Sequence, residues 1–412
     1  MSAEHNRIWY RLSGAFFLLA PLIVALLTGH WVCSAIPLGF IFGFCMHKGN
    51  LCPAAACSEV VLMRDARKLF GLWVCIVVSM LGFAMLEATR LVTLAPQHAY
   101  WANDLLGGAL FGTGMTLAGG CVSGSLFKAA SGHVNSMAAL VGIPLGALAV
   151  QSGPLRPLNE LLMKLVWHAS DGGPLTLSSL TGVPFGWLAA IVALGTGAVI
   201  LRRVTRRRLL APAAERRVPA PAGVAPASEH AALARDALEH SWKPWQAGLG
   251  IGVLSSLAYL SSAASGRNYP WGVASGVVQL ERLVVDRDLI HVYERGQELR
   301  ASGTARIEWW EVLLVVSFFA GAWVSARLSG DRLTGRPPEE IMVAFFGGCL
   351  TGLGLAIGFG CTIGHGISGW ALMSVGSVLF CSTLLLASWA TTCAYLMGGF
   401  VWPKRAGPRS DE

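Results

Sequence analysis

The chain has 412 residues, of which 54% are hydrophobic and only 13% are charged. Because ordinary soluble domains carry about 25% charged residues, a chain this apolar could not cover the surface of a water-soluble fold of its size. The formal net charge of +8 would suggest nucleic acid as a partner for a soluble protein. Here the basic residues cluster at the ends of apolar segments, so we expect a lipid bilayer as the surroundings and no binding of nucleic acid.

Apolar segments recur along the chain at lengths close to the roughly 20 residues that a helix needs to cross a bilayer. Backbone groups must be hydrogen-bonded inside the hydrocarbon, so we expect these segments to be helices. They cover residues 12–28, 69–86, 105–117, 137–151, 184–201, 245–263, 312–328, 341–357 and 384–401. The first follows Arg7 and Arg11 but lacks a small-x-small cleavage site, which favours a retained span over a signal peptide. The sequence therefore predicts an all-α polytopic protein of the bacterial inner membrane.

A polar segment rich in Arg, Pro and Ala divides the apolar chain into two halves. The predicted divisions are a first membrane repeat at 1–201, a linker at 202–244, a second membrane repeat at 245–405 with a polar insertion near 281–308, and a tail at 406–412. Seven arginines lie between positions 202 and 217, which by the positive-inside rule indicates a cytoplasmic linker. Lys404 and Arg405 indicate the same side for the tail.

The two halves share a pattern of glycine and cysteine in one register. Seven positions of the first half recur 240 residues later in the second half. The matched positions are Gly107, Gly108, Gly112, Gly114, Gly120, Cys121 and Gly124 with Gly347, Gly348, Gly352, Gly354, Gly360, Cys361 and Gly364. Repeated halves are common in secondary transporters, whose substrates bind near the middle of the membrane on broken helices. We therefore predict two pseudo-symmetric repeats whose re-entrant or broken helices form a narrow central pathway.

The repeated Gly-Cys pairs suit a break at which one half-helix ends and another begins. The start of a half-helix offers free N–H groups and a partial positive charge, and both favour an anion. Nearby serine and threonine hydroxyls would add hydrogen-bond donors. The candidate substrate contacts in these segments are Gly120, Cys121, Ser123, Gly360, Cys361, Thr362 and His365. The alternative interpretation is tight helix packing through small residues, with each cysteine a buried space-filling side chain.

A third polar interruption, at residues 43–57, contains Lys48 and Cys52 within an apolar region. Pro53 suits the first position of a helix, which would place Cys52 at the helix start, where its thiol can meet an anion. Lys48 adds a positive charge near membrane depth, where charge usually indicates function, although a lysine that snorkels to the interface fits equally well. Residues 265–276 carry Gly and Pro breaks without a cysteine and form either a counterpart of this segment or a plain turn.

The ten cysteines include no C-x-x-C pair, which argues against a zinc site or a thioredoxin-like centre. We therefore expect no metal and no cofactor. Four cysteines lie in span-like runs and are expected only to pack in the bundle: Cys33, Cys75, Cys381 and Cys393.

Three elements of the sequence resemble the YeeE/YedE family of sulfur-transport membrane proteins. They are the Cys52 segment, Gly-Gly-Cys-Val-Ser-Gly at 119–124 and Gly-Phe-Gly-Cys-Thr-Ile-Gly-His-Gly-Ile-Ser-Gly at 358–369. The resemblance implies thiosulfate import or a link to selenium metabolism, a pseudo-symmetric bundle with short re-entrant helices, and three pore cysteines that correspond to Cys52, Cys121 and Cys361. It also implies, by analogy, a cytoplasmic sulfur-carrier or rhodanese partner. The chain departs from its relatives in the linker, in the polar insertion and in having His47-Lys48 where an arginine is common.

Together these features predict a transporter, not an enzyme, that moves a small sulfur-containing anion such as thiosulfate by a stepwise relay along pore thiols. A neutral thiol is a weak hydrogen-bond donor, and a conduction site must bind an ion well enough to admit it and weakly enough to release it. Two alternatives remain open. One is a membrane thiol oxidoreductase, for which Cys52 and Cys57 are the nearest pair in sequence, and the other is a transporter of a selenium compound or a soft metal.

Overall fold

The structure is a computed structural model that describes residues 3–169, 172–210, 240–285, 308–331 and 337–398. Within these ranges every extended regular element is a helix, and β pairing occurs as isolated bridges such as that between Ala99 and Trp167. Most of the predicted linker, most of the polar insertion and the whole tail at 406–412 lie outside the described residues. The first part of the predicted linker continues a membrane helix as far as Leu210, and its last residues, 240–244, lead into the next one.

The helices of the first half are α1 to α10. They span Ala3–Thr28 (α1), Ala35–Lys48 (α2), Pro53–Leu62 (α3), Arg67–Ala88 (α4), Trp101–Leu117 (α5), Val122–Ala130 (α6), Val134–Gln151 (α7), Arg156–Leu162 (α8), Leu177–Thr181 (α9) and Phe185–Leu210 (α10). The helices of the second half are α11 to α16. They span Pro244–Ala264 (α11), Val273–Val285 (α12), Trp309–Ser329 (α13), Pro338–Ile357 (α14), the π-helical Thr362–Gly369 (α15) and Val375–Thr391 (α16).

The described part of the chain contains nine helical segments long and apolar enough to cross a membrane. Eight of them overlap spans predicted from the sequence, which confirms an all-α, multi-pass membrane protein. The ninth, Trp31–Leu62, is absent from the predicted set because Gly49, Lys48 and Pro53 interrupt its hydropathy. Conversely, residues 12–28, which the sequence predicts as a span, form the apolar part of α1, and this apolar part is shorter than any of the nine segments.

Long helices of the two halves pack against one another as interleaved pairs, not as two separate bundles. Helix α2 packs along α13, and α4 packs along α11. Helix α7 packs along α14, α5 packs along α16, and α5 and α14 also contact each other. One core therefore includes residues of both halves, and it also contains the cysteines at positions 52, 121 and 361.

Glycines make these close pairs possible because a side chain would overlap the facing backbone. A Cβ atom at Gly352 of α14 would overlap the carbonyl oxygen of Ile143 on α7, and one at Gly146 of α7 would overlap that of Cys349. Gly43 of α2 meets the carbonyl oxygen of Phe318 on α13 in the same way. The repeated glycines that lie in the long helices α5 and α14 are therefore packing positions, whereas those at the breaks have other surroundings.

Two short helices in each half begin after a break in the chain: α3 and α6 in the first, α12 and α15 in the second. Three of these breaks have the same backbone pattern. Asn50, Gly119 and Phe359 have φ values of 43°, 68° and 57°, a left-handed conformation that a residue with a side chain rarely adopts. Each stands two residues before a cysteine, and that cysteine is the extended N-cap of the next short helix.

Replacing Gly352 by alanine should destabilise the protein, because the methyl group has no space between α14 and α7. We expect Gly352→Ala to lower the free energy of unfolding by about 1–3 kcal/mol, the usual cost of overpacking. The measurement is thermal unfolding of the purified protein in detergent. Gly195→Ala in α10 is the matched control, since nothing lies within 4 Å of its Cβ position, and an equal loss of stability in that variant would contradict the packing argument.

Candidate functional site

The three predicted pore cysteines lie at the starts of three short helices in the core of the bundle. Cys52, Cys121 and Cys361 are the N-caps of α3, α6 and α15, and their exposed fractions are 0%, 0% and 1%. None of the three helices has a side-chain cap on its first N–H groups. Free N–H groups and the helix dipole therefore give each thiol a locally positive surrounding.

Backbone N–H groups from two helices surround Cys361. Those of Ile363 and Gly364, in its own helix α15, lie near the sulfur, and so do those of Val273 and Ala274 at the start of α12. Cys52 has a similar set in its own helix, from Ala54 and Ala55. The starts of α12 and α15 thus meet at a single sulfur atom.

Cys52 and Cys121 are neighbours, although 69 positions separate them in the sequence. Their thiols lie near each other, and the Cβ position of Gly124 in α6 lies between them. A Cβ atom on Gly124 would be 2.5 Å from the Cys52 sulfur and 3.6 Å from the Cys121 sulfur. The glycine therefore keeps open the space that the two thiols share.

Thr362 connects this pair with the third cysteine. Its hydroxyl lies close enough to interact with the Cys121 thiol, and it follows Cys361 directly in the chain. No hydrogen-bond partner of normal geometry contacts its Oγ1 among the described residues, although the atom is buried. Ser123 also lies beside Cys121, with Oγ 3.4 Å from the sulfur. A small acceptor at this point would meet thiols and hydroxyls together.

The two predicted glycine contacts, Gly120 and Gly360, fill tight loop positions ahead of the cysteines. A Cβ atom on Gly360 would lie 2.7 Å from the His365 ring, and one on Gly120 would lie 3.1 Å from the backbone nitrogen of Ser125. Both glycines therefore let the loop fold back against the first turn of its short helix.

His365 braces the loop before Cys361, and its predicted contact with the substrate stays a prediction. Its Nδ1 is 3.1 Å from Ser377 Oγ, and its Nε2 is 2.7 Å from the carbonyl oxygen of Gly358. The ring also stacks on Phe380, with centroids 4.2 Å apart. Both ring nitrogens are thus used within the protein, and the side chain ties the loop before Cys361 to α16.

A cavity of about 480 Å³ lies at the end of the bundle where α11 begins; we call it the linker-end cavity. Lys48, Lys68, Lys128 and His133 line it together with Glu59. The backbone N–H of Trp242, just before α11, donates to the carbonyl oxygen of Lys48 at 2.8 Å, which fixes its place at this end.

The side chains of the linker-end cavity hold one another in place. Lys48 is 2% exposed and donates to Ser329 at 2.7 Å. Lys68 forms an ion pair of 2.5 Å with Glu59. Lys128 donates to the carbonyl oxygen of Gly119 at 2.5 Å, so its ammonium group binds the backbone of the break that precedes Cys121. Sequence reasoning missed Lys128, although its position seven residues after Cys121, two helical turns along α6, was a usable signal.

A second cavity, of about 260 Å³, reaches Cys361 and is lined by residues of the fourth break, including Gly272, Ala274 and Ser275; we call it the Cys361 cavity. The segment at 265–276 therefore lines a space that reaches Cys361, one of the three predicted pore cysteines. Gly272 precedes α12 at the place that a cysteine occupies before the other three short helices.

Arg267, which the sequence analysis did not single out, holds the fourth break in shape. Its guanidinium forms ion pairs with Glu308, at 2.7 Å, and with the buried Glu311 of α13. The same side chain donates to the carbonyl oxygens of Tyr269 and Pro270. Through these bonds the Arg267 side chain connects the fourth break to α13.

Other cysteines occupy different surroundings. Cys75 packs in the hydrophobic core, and Cys381 lines an apolar cavity that also contains Cys57 and Thr362. Among the described residues no group of three or more His, Cys, Asp or Glu side chains could hold a metal ion.

The sequence matches the model of a known protein family over most of its length. The model of the family described as "Sulphur transport" matches residues 48–390. The chain belongs to this family. The matched region contains all three cysteines described above and, apart from His47, every residue that lines the two cavities, and it extends over both halves of the chain.

Two similar proteins are thiosulfate transporters named TsuA. The one from Escherichia coli (strain K12) is 26% identical over 367 residues, which cover 87% of this chain and 94% of the relative. The one from Spirochaeta thermophila is 26% identical over 387 residues, which cover 88% of this chain and 98% of the relative. Both relatives are transporters, and the similarity extends over nearly their whole length.

The bracing position of His365 predicts a loss of stability when its ring is removed. His365→Ala leaves the carbonyl oxygen of Gly358 without its partner, so we expect the free energy of unfolding to fall by about 1–3 kcal/mol. Thermal unfolding in detergent measures this loss. His98→Ala, at an exposed position, is the control. Unchanged stability together with a weaker apparent affinity for the transported anion would contradict the structural role and support a contact between His365 and the substrate.

Proposed function

We propose that the protein takes up thiosulfate across the bacterial inner membrane by passing the anion along Cys361, Cys121 and Cys52. The observation that carries the proposal is the position of these three thiols, each at the uncapped start of a short helix. Membership of a sulfur-transport family and similarity to two thiosulfate transporters support the choice of substrate.

The physical basis of the proposal is that these helix starts attract an anion without trapping it. Thiosulfate carries two negative charges and a soft terminal sulfur, so it needs hydrogen-bond donors. Thiols and free backbone N–H groups donate weakly, and helix dipoles add a partial positive charge. A fixed arginine would bind the dianion more tightly and slow its release, whereas a pathway must balance admission against release.

The contacts support an order for the relay. The anion would enter through the Cys361 cavity, where N–H groups of α12 and α15 surround the sulfur. Thr362, with its unpartnered hydroxyl, would pass it to the pair Cys121 and Cys52. Lys128, whose charge acts on Cys52, would then draw it into the linker-end cavity.

The direction assigned to this path rests on the side of the linker. If the arginine-rich linker is cytoplasmic, the linker-end cavity faces the cytoplasm, because Trp242 beside it is bonded to Lys48. Lys48 would then bind the leaving anion at the cytoplasmic mouth. A cytoplasmic sulfur-carrier or rhodanese protein could collect the anion there, and the basic side chains around the mouth would suit such a handover.

We further propose that the halves are inverted repeats. Exchanging the halves converts the pair α2–α13 into α11–α4, and the pair α7–α14 into α16–α5, and all four pairs occur. The short helices follow the same exchange, with α3 matching α12 and α6 matching α15. This arrangement supports two pairs of short helices that enter from opposite faces and meet midway.

Removing a relay thiol should stop uptake without unfolding the protein. We expect Cys121→Ala and Cys361→Ala to reduce thiosulfate uptake to background, because each leaves a step of the path without its donor. The measurement is growth of a sulfur-auxotrophic bacterium on thiosulfate as sole sulfur source, with uptake of labelled thiosulfate and membrane expression checked in parallel.

Cys75→Ala and Cys33→Ala are the controls for this experiment, since these side chains lie outside the proposed path and should leave uptake intact. Uptake at the wild-type rate in both Cys121→Ala and Cys361→Ala would exclude the relay. Competition by selenium analogues in the same assay would show how far the site discriminates among soft anions.

Gly124 provides a second test of the path, because its space lies between two thiols. Gly124→Ala should lower the uptake rate about tenfold, equivalent to about 1.4 kcal/mol in the barrier, since the methyl group crowds the Cys52 sulfur. Gly197→Ala in α10 is the control, at a position away from the path where nothing lies within 4 Å of the Cβ. Equal uptake in both variants would show that the space between Cys52 and Cys121 is not on the path.

A further inference from the structure

The proximity of Cys52 and Cys121 brings two oxidisable thiols together in the core of the bundle. Both thiols are buried, and the Cβ position of Gly124 lies 2.5 Å from the sulfur of Cys52 and 3.6 Å from that of Cys121. They cap the starts of different helices, α3 and α6. The pair closest in sequence is Cys52 with Cys57. Both belong to α3 and its N-cap, so a disulfide between them would not connect two helices.

We propose that Cys52 and Cys121 react with the oxidised dimer of the transported anion, tetrathionate, and close the path by forming a disulfide. This inference rests on the proposed function, since a site that accepts thiosulfate also accepts the thiosulfate-like end of tetrathionate. That end has the same sulfonate group and the same adjacent sulfur, and the dianion brings with it the S–S bond that acts as the oxidant.

The reaction balances in two steps of thiol exchange. The thiolate of one cysteine attacks an inner sulfur of tetrathionate, which breaks the central S–S bond, releases one thiosulfate and leaves a thiosulfate group attached to the cysteine sulfur. The second cysteine then attacks that cysteine sulfur and expels the second thiosulfate. Overall, two thiols lose two protons and two electrons, and one tetrathionate becomes two thiosulfates.

The surroundings of the pair favour this chemistry. A thiolate is the attacking species, and the backbone N–H groups of Ala54 and Ala55 together with the charge of Lys128 face the Cys52 sulfur. A Cys52–Cys121 bond would tie α3 to α6 and remove two of the three relay thiols at once, so uptake should stop until the bond is reduced.

The test uses the full-length protein in liposomes. After exposure to tetrathionate, free thiols are blocked with a maleimide, the protein is digested, and linked peptides are identified by mass spectrometry while released thiosulfate is measured by ion chromatography. We expect a Cys52–Cys121 peptide, two thiosulfates released per protein, and a loss of thiosulfate uptake of about tenfold or more that dithiothreitol reverses.

Single variants separate the two steps of the exchange. Cys52→Ser and Cys121→Ser should each release one thiosulfate and keep the other bound to the remaining thiol, a product that is detected by mass whether or not the variant transports. Cys57→Ser should behave as the wild type. No linked peptide, or bonds spread among other cysteines, would overturn the inference.

Uptake by the untreated protein is measured separately. Its absence would refute the proposed transport of thiosulfate, whereas normal uptake without the linked peptide would refute only the tetrathionate reaction.

Discussion

The need to satisfy every backbone polar group inside a membrane is the constraint on which this structure depends. A break in a membrane helix leaves N–H groups without partners, and hydrocarbon supplies none. Such breaks survive only where the bundle buries them. Here the starts of α3, α6 and α15 lie in the shared core, and the N-cap of each of these helices is a cysteine. The same unsatisfied groups that would destabilise a lipid-facing helix make these positions suitable for an anion.

Close packing of the long helices makes that burial possible. Gly146, Gly352 and Gly43 bring helices of different halves so close that a methyl group would overlap the facing backbone. This interleaving holds the short helices in one core. Glycine has separate tasks in the same motif, because Gly352 serves contact between helices whereas Gly124 preserves the space between two thiols. Periodic spacing alone does not distinguish the two, since both appear as small residues in an apolar run.

Basic side chains lie at the two ends of the proposed path and not at its centre. Lys48, Lys68 and Lys128 line the linker-end cavity, and Arg267 clasps the break beside the Cys361 cavity. Between them lie thiols, hydroxyls and backbone donors. This distribution fits a pathway that collects anions at its mouths and binds them weakly within, because burying a fixed charge at the centre would cost more than a neutral donor.

The sequence by itself determined the all-helical membrane class, most of the spans and the three breaks with their cysteines, because hydropathy and glycine placement are local properties of the chain. The tertiary structure alone decided which residues meet. It paired Cys52 with Cys121, turned both nitrogens of His365 toward the protein, and brought Lys128 and Arg267 to the breaks. Those relations join residues that are far apart in the chain or depend on the direction of a side chain, and the packing of helices from both halves fixes them.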